Sequence, residues 1–504
     1  MQKPPVSAVT LGVFAALIAL LPIGYLLLRL GQGYDGALTE LVRPRTLELL
    51  GNTLILVISV SVAALVLGVF QAWFVVRAKL PVPGLFAVLA TIPLAIPSYV
   101  LALGYISVFP WFAGFWASWL VLTLATSPYV FLAVSASLMR VDISSEEVAR
   151  SLGQTRWQVF FKVTWPQVRT SATASLLLVS LYTLSEFGAI ALLRYDTFTR
   201  AIYNAYRSSF DRTAAASLAL VLVLLTMVIL FFERRYRGDY LTQRPANQKR
   251  LKKDLGTSRV AVAAVLGLMG FLGAGLPLGA LLNWSVVGSP NLDLGRLLRA
   301  TFASVSIAFS ASILIAIFAL AVAIWAVLHR SRPASFVEGV LWSNHALPAI
   351  VVGLSLVFFG ANVTPGIYQT IWLLLIAYLV LYLPNGLVAM STPLAQVPKG
   401  LIEVSRSLGE SYRSTLKKVI LPIASPGLIA AVALVALTVL KELPATLLLR
   451  PTGTDTLATR MWQATEDLAY SQAAPYALAL VIIAGLPALS LNASVRKTYR
   501  EVNQ

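Results

Sequence analysis

Two carboxylates interrupt apolar stretches of this 504-residue chain: Glu186 in LSEFGAI and, 256 residues on, Glu442 in LKELPAT. An ionisable group inside a long apolar segment is costly and often lines a path for a polar solute. Lys441 precedes Glu442, so an ion pair or an interfacial placement is the alternative for that residue. Glu186 has no cation beside it in sequence. Little else in the chain suits catalysis. There is no Cys, which excludes disulfides, zinc–cysteine sites and thiol chemistry. Only His329 and His345 could supply imidazole; the first lies in a basic loop and the second reads as structural, just before Pro348. No paired nucleophile and base stands out, and no G-x-x-x-x-G-K-S/T loop is present to cradle ATP phosphates. An enzyme is not expected.

A second pair of elements recurs with the same 256-residue offset. EVARSLG spans Glu147–Gly153 and EVSRSLG spans Glu403–Gly409. Nine residues follow each glycine before a V-x-W/L-P ending, at Val163–Pro166 and Val419–Pro422. The run Asp142-Ile-Ser-Ser-Glu-Glu147 reads as a helix start, with polar caps and acidic first-turn residues. Val148, Leu152 and Trp157 make a partial apolar face, while Arg150, Arg156 and Lys162 face water. Gly153 either breaks the helix or permits close approach of another backbone. Each loop is thus expected to hold two short helices at the membrane surface. One such loop would be an ordinary amphipathic element. Two at matched positions point to two docking points for a soluble partner.

The elements that carry these residues are membrane helices. Mean hydropathy is +0.80 and only 12% of residues are charged, against roughly 25% in soluble proteins. Continuous apolar runs of about 20 residues favour helices over strands. Twelve spans fit: 8–28, 53–76, 85–108, 117–138, 171–193 and 214–232, then 260–282, 303–328, 336–359, 368–390, 425–448 and 474–492. The first reads as an uncleaved span rather than a signal peptide. Residues 1–233 form one six-helix repeat, 234–258 a basic cytoplasmic linker and 259–504 the second repeat. Pro128 pairs with Pro384 at the same offset, and Trp73 and Trp325 close equivalent spans. Six spans per copy give both copies one orientation, a parallel repeat with a natural path between the halves. The net charge of +18 belongs to loops between spans, where it marks the cytoplasmic side rather than nucleic-acid binding. Most of the 39 Lys and Arg fall inside if both termini are cytoplasmic, which also places both loops there.

The paired loops resemble the EAA loop of binding-protein-dependent ABC importer permeases, with Val148, Val404 and Ser405 in place of the commoner alanines. The resemblance implies an all-α integral membrane protein with the type I importer permease fold, in the bacterial cytoplasmic (inner) membrane. It implies that Glu147, Arg150 and Gly153, with Glu403, Arg406 and Gly409, couple to a separate cytoplasmic ATPase in two copies. That partner uses ATP, and no cofactor is bound by this chain. A separate extracytoplasmic binding protein would deliver the substrate, and ATPase closure would drive alternating access.

The stretches around Glu186 and Glu442 are similar to those of fused twelve-span ferric iron permeases. Fe³⁺ is hard and prefers oxygen ligands, so Glu186 and Glu442 are the candidate metal contacts along the path. Tyr195 reads as an interfacial aromatic, and Asp196 and Asp455 as turn or salt-bridge residues among Arg194, Arg200, Arg450 and Arg460. The same machinery could instead carry thiamine, sulfate, molybdate or a polyamine. An ion-coupled secondary transporter would also show repeats but has no need of two such loops.

Overall fold

Apolar runs become helices in lipid because a backbone without water must satisfy its own N–H and C=O groups. The computed structural model describes residues 4–32, 42–141, 143–207, 212–236, 254–287, 293–329, 331–344 and 347–501. Arg330, His345 and most of the 234–258 linker lie outside these. The described residues are overwhelmingly helical and include no strand. Among the described residues eight helices are long and apolar enough to cross a membrane, from Val6–Arg29 to Tyr412–Leu440.

Several expected spans are broken rather than continuous. The stretch 85–108 becomes Pro83–Ala95 and Ser98–Val108, bent by 96°. Pro93 lies in the tight turn Ile92–Ala95 that ends the first piece, and Pro97 just before the restart. Proline removes a backbone donor and pushes the residue before it away from the helical region. The stretch 336–359 divides the same way, into Arg332–Ser343 and Ala349–Asn362, with Pro348 before the second piece. In 171–193 and 425–448 the long helices end at Ser185 and Leu440. Short helices then restart as Gly188–Leu192 and Pro444–Leu449.

One compact unit comprises residues 42–201, 224–291 and 464–504. At its centre Pro44–Arg77, Gly114–Leu138 and Trp165–Ser185 pack on one another. Gly68 permits a close crossing within this trio, since an added Cβ would lie 2.5 Å from Val130 Cβ. The Ser61 and Ser180 hydroxyls bond across the core at 2.8 Å. Small and hydroxylated residues suit helix contacts in lipid, where close approach and internal hydrogen bonds replace the hydrophobic drive. Leu276–Val287 packs on Ser98–Val108, and Trp284 Nε1 donates to Ser107 O at 3.2 Å.

The other unit comprises residues 1–41, 202–223 and 292–463. Its centre is the equivalent trio, Leu294–Ala323, Ile371–Ala395 and Leu421–Leu440. Here Gly386, on the opposite partner helix, closes the matching crossing against Ala319, 3.0 Å from an added Cβ. Val6–Gln32 packs on Leu294–Ala323 and Ala349–Asn362, and Asn344 Nδ2 donates to Ala19 O at 3.0 Å. Each unit therefore repeats one three-helix core and takes its outlying first helix from the other half of the sequence. The compact units run across the boundary that the linker suggests.

Candidate functional site

The two loops fold alike, residue for residue. Ile143–Ser151 and Lys399–Ser407 are their first helices. Each ends in a Schellman cap. Gly153 N–H donates to Arg150 O at 2.9 Å and Gln154 N–H to Ala149 O at 3.1 Å; Gly409 and Glu410 bond Arg406 O and Ser405 O at 3.0 and 3.2 Å. This cap needs a left-handed residue, and the glycines have φ of 80° and 82°. An added Cβ would meet nothing within 4 Å at either glycine. Helix termination, not close approach within this chain, explains both.

The expected second short helix is instead the opening of the next span. Thr155 and Ser411 cap Arg156–Val159 and Tyr412–Thr415. Each passes through a π-turn, Phe160–Thr164 or Leu416–Ile420, into the long helix. Pro166 and Pro422 follow these turns. A proline ring would crowd the carbonyl four residues back in an α-helix, and widening the turn before it relieves that clash.

The apolar faces of the loops are turned outward. Leu152 and Leu408 are 75% and 77% exposed, and Val148 and Val404 are exposed with them. So are Glu147, Arg150, Glu403 and Arg406. Trp157 and Phe161 extend the first face as an exposed stacked pair. In the second loop Lys418 Nζ donates to Glu410 Oε1 at 2.6 Å. That hydrogen bond holds the Glu410 carboxyl below its ordinary range.

The carboxylates also occupy matching places, in the breaks that follow the long helices. Glu186 Oε1 accepts from Ala189 N–H at 3.0 Å, and the Ser98 and Tyr182 hydroxyls lie beside the same carboxylate. Glu442 is buried; Oε1 accepts from Ala445 N–H at 2.7 Å and Oε2 from Thr446 N–H at 2.9 Å. The Thr446 hydroxyl also bonds this carboxylate, and Tyr378 OH lies 2.7 Å from that hydroxyl. Each carboxylate thus caps the short helix after the break and sits among hydroxyl oxygens. Sequence reading missed Ser98, Tyr182, Tyr378 and Thr446. The i,i+4 spacing of Tyr182 to Glu186 and of Glu442 to Thr446 was the available signal for two of them.

The remaining candidates do not join these clusters. Tyr195 OH donates to Asn52 O at 3.4 Å and its ring meets Phe115. Asp196 pairs with Arg200 at 2.6 Å. Asp455 pairs with Arg460 at 2.5 Å and also with Arg450, so both aspartates are salt-bridge residues as expected. His329 Nδ1 lies 3.3 Å from Ile324 O. Among the described residues no group of three or more His, Asp or Glu could hold a metal ion.

Two segments, residues 64–237 and 319–503, match the family described as the inner membrane component of binding-protein-dependent transport systems. The Fe(3+)-transport system permease protein FbpB 2 of Haemophilus influenzae is 34% identical over 97% of this chain and 98% of its own length. The sulfate transport system permease protein CysT of Escherichia coli is 28% identical over 43% of this chain and 86% of its length. The molybdate/tungstate permease protein WtpB of Thermococcus kodakarensis is 24% identical over 44% and 92%.

Proposed function

The chain belongs to the inner-membrane components of binding-protein-dependent transport systems, and from that premise we propose that it carries ferric iron into the cytoplasm. It is a multi-pass permease of the ABC importer type. In this reading both termini and both loops are cytoplasmic, and each loop seats in one copy of a separate ATPase. Closure of the ATPase pair rocks the permease between outward- and inward-facing states, and an extracytoplasmic binding protein delivers the cargo.

The observation that carries the coupling assignment is the matched exposure of Val148, Leu152, Val404 and Leu408 on two helices with identical caps. Apolar residues held outward twice at one register fit a cleft on a protein partner. A lone amphipathic loop gives no reason for a second copy at the same register. Glu147, Arg150, Glu403 and Arg406 supply the polar rim of that contact.

For the cargo, a carboxylate ringed by hydroxyl oxygens suits a hard cation and disfavours an oxyanion such as sulfate or molybdate. Glu186 and Glu442 are the residues proposed to meet ferric iron in transit. Similarity to FbpB 2 over nearly the whole chain supports the same choice. The test is growth and uptake in a strain lacking this protein. Loss of Fe³⁺ uptake, with poor growth only under iron limitation, is expected. Normal iron uptake with loss of thiamine or an oxyanion instead would overturn the cargo.

A further inference from the structure

The two loops share a fold but are fastened to the permease by different chemistry. In the first loop Glu146 is only 6% exposed, although Ser144, Ser145 and Glu147 around it are exposed. Its Oε1 accepts from Arg77 Nη2 at 3.1 Å and from Thr164 Oγ1 at 2.8 Å. Its Oε2 faces Arg77 Nη1 at 3.5 Å. Arg77 is the last residue of Pro44–Arg77, and Thr164 closes the π-turn that opens the next span. One carboxylate therefore ties the loop helix to the ends of two long helices. One turn before Arg77, Trp73 sets its ring edge-on to Phe160 of the same π-turn, centroids 5.0 Å apart.

At the matching positions the second half carries Ile402, Ile420 and His329, which cannot reproduce this network. A neutral pair replaces it: Ser405 Oγ lies 2.9 Å from Thr415 Oγ1. The rings of His329 and Tyr412 meet edge-on at 6.3 Å. A buried, multiply bonded ion pair is directional, and removing one partner strands a charge in a poorly solvated place. A hydroxyl pair and a ring contact are softer.

Resting on the coupling role proposed above, we infer that Arg77, Glu146 and Thr164 are positioning residues forming a strut. The strut makes the first loop and the helix Pro44–Arg77 move as one body. Motion imposed on the first loop passes to that helix without slack, while the second loop, held by a buried hydroxyl pair, a ring contact and the solvent-exposed Lys418–Glu410 pair, works through a more compliant joint. The two docking points are then mechanically unequal, although their exposed faces share one motif.

The test uses the full chain, assembled with its ATPase and binding protein in proteoliposomes, and reads cargo moved per ATP hydrolysed. The double variant Arg77→Met/Glu146→Leu removes both charges together, so no charge is left stranded and folding is spared. Its amount in the membrane should match wild type while cargo per ATP falls about fivefold. The exchanged pair Arg77→Glu/Glu146→Arg should recover about half of that loss. Ser405→Val in the second loop should change the ratio by less than about twofold. An unchanged ratio in the double variant, or an exchanged pair no better than Glu146→Gln alone, overturns the strut. Absence of ATP-driven uptake in the wild-type complex would instead overturn the coupling role on which the strut rests.

Discussion

Gly153 and Gly409 hold a left-handed backbone with open space around them, so a larger residue there is resisted by torsion rather than by collision. The cost is about 1–2 kcal/mol at each site, and about 1.4 kcal/mol is already tenfold in an equilibrium. Gly153→Val with Gly409→Val should therefore lower ATP-driven uptake about tenfold while the protein stays in the membrane. Unimpaired uptake in that double variant would remove the coupling role of the loops. Sequence alone left each glycine two roles, chain break or close approach, and only the backbone angle separates them. Glu186 and Glu442 were legible as an equivalent pair, but their capping role was not, because it depends on helix breaks after Ser185 and Leu440 that apolar continuity conceals. Replacing either by Ala forfeits a cap worth about 1 kcal/mol. Replacing either by Gln keeps an acceptor and removes the charge. If the carboxylates meet Fe³⁺ in transit, the Gln variants should retain wild-type thermal stability and lose about tenfold in uptake, a change of about 1.4 kcal/mol. Normal uptake by the Gln variants, with impairment only in the Ala variants, would reduce both residues to caps.

Elements were predicted well where periodicity decides and poorly where a single proline does. Hydropathy averages over a window and so cannot register the 96° bend between Pro83–Ala95 and Ser98–Val108. Pro93, Pro97 and Pro348 can each interrupt a helix, yet the sequence offers no measure of how far any of them turns the chain. The loops went the other way: the pair of short helices expected in each became one helix plus the first turn of the next span. The capping residues Thr155 and Ser411 start that turn, and the π-turns carry it past Pro166 and Pro422. Because the chain contains no Cys, single cysteines report on these loops without background. Glu147→Cys and Glu403→Cys should react with a membrane-impermeant maleimide only from the cytoplasmic face, and more slowly once the ATPase is bound. Labelling of either from the outer face would reverse the orientation drawn from the Lys and Arg distribution.

At the scale of the molecule, the repeat identifies which residues are equivalent but not which copy each helix packs against. That is why the sequence halves were visible while the exchange of first helices was not: Val6–Gln32 packs with the second three-helix core and Leu276–Val287 lies with the first. The cargo is a property of this scale too, because it depends on where the path runs and on what the binding protein delivers. The most direct measurement is uptake into proteoliposomes holding this permease and its ATPase, with the binding protein and radiolabelled ferric iron outside. Iron should accumulate only when Mg-ATP reaches the ATPase and the binding protein is present. Accumulation driven by an ion gradient without ATP, or of thiamine or an oxyanion in place of iron, would contradict the account.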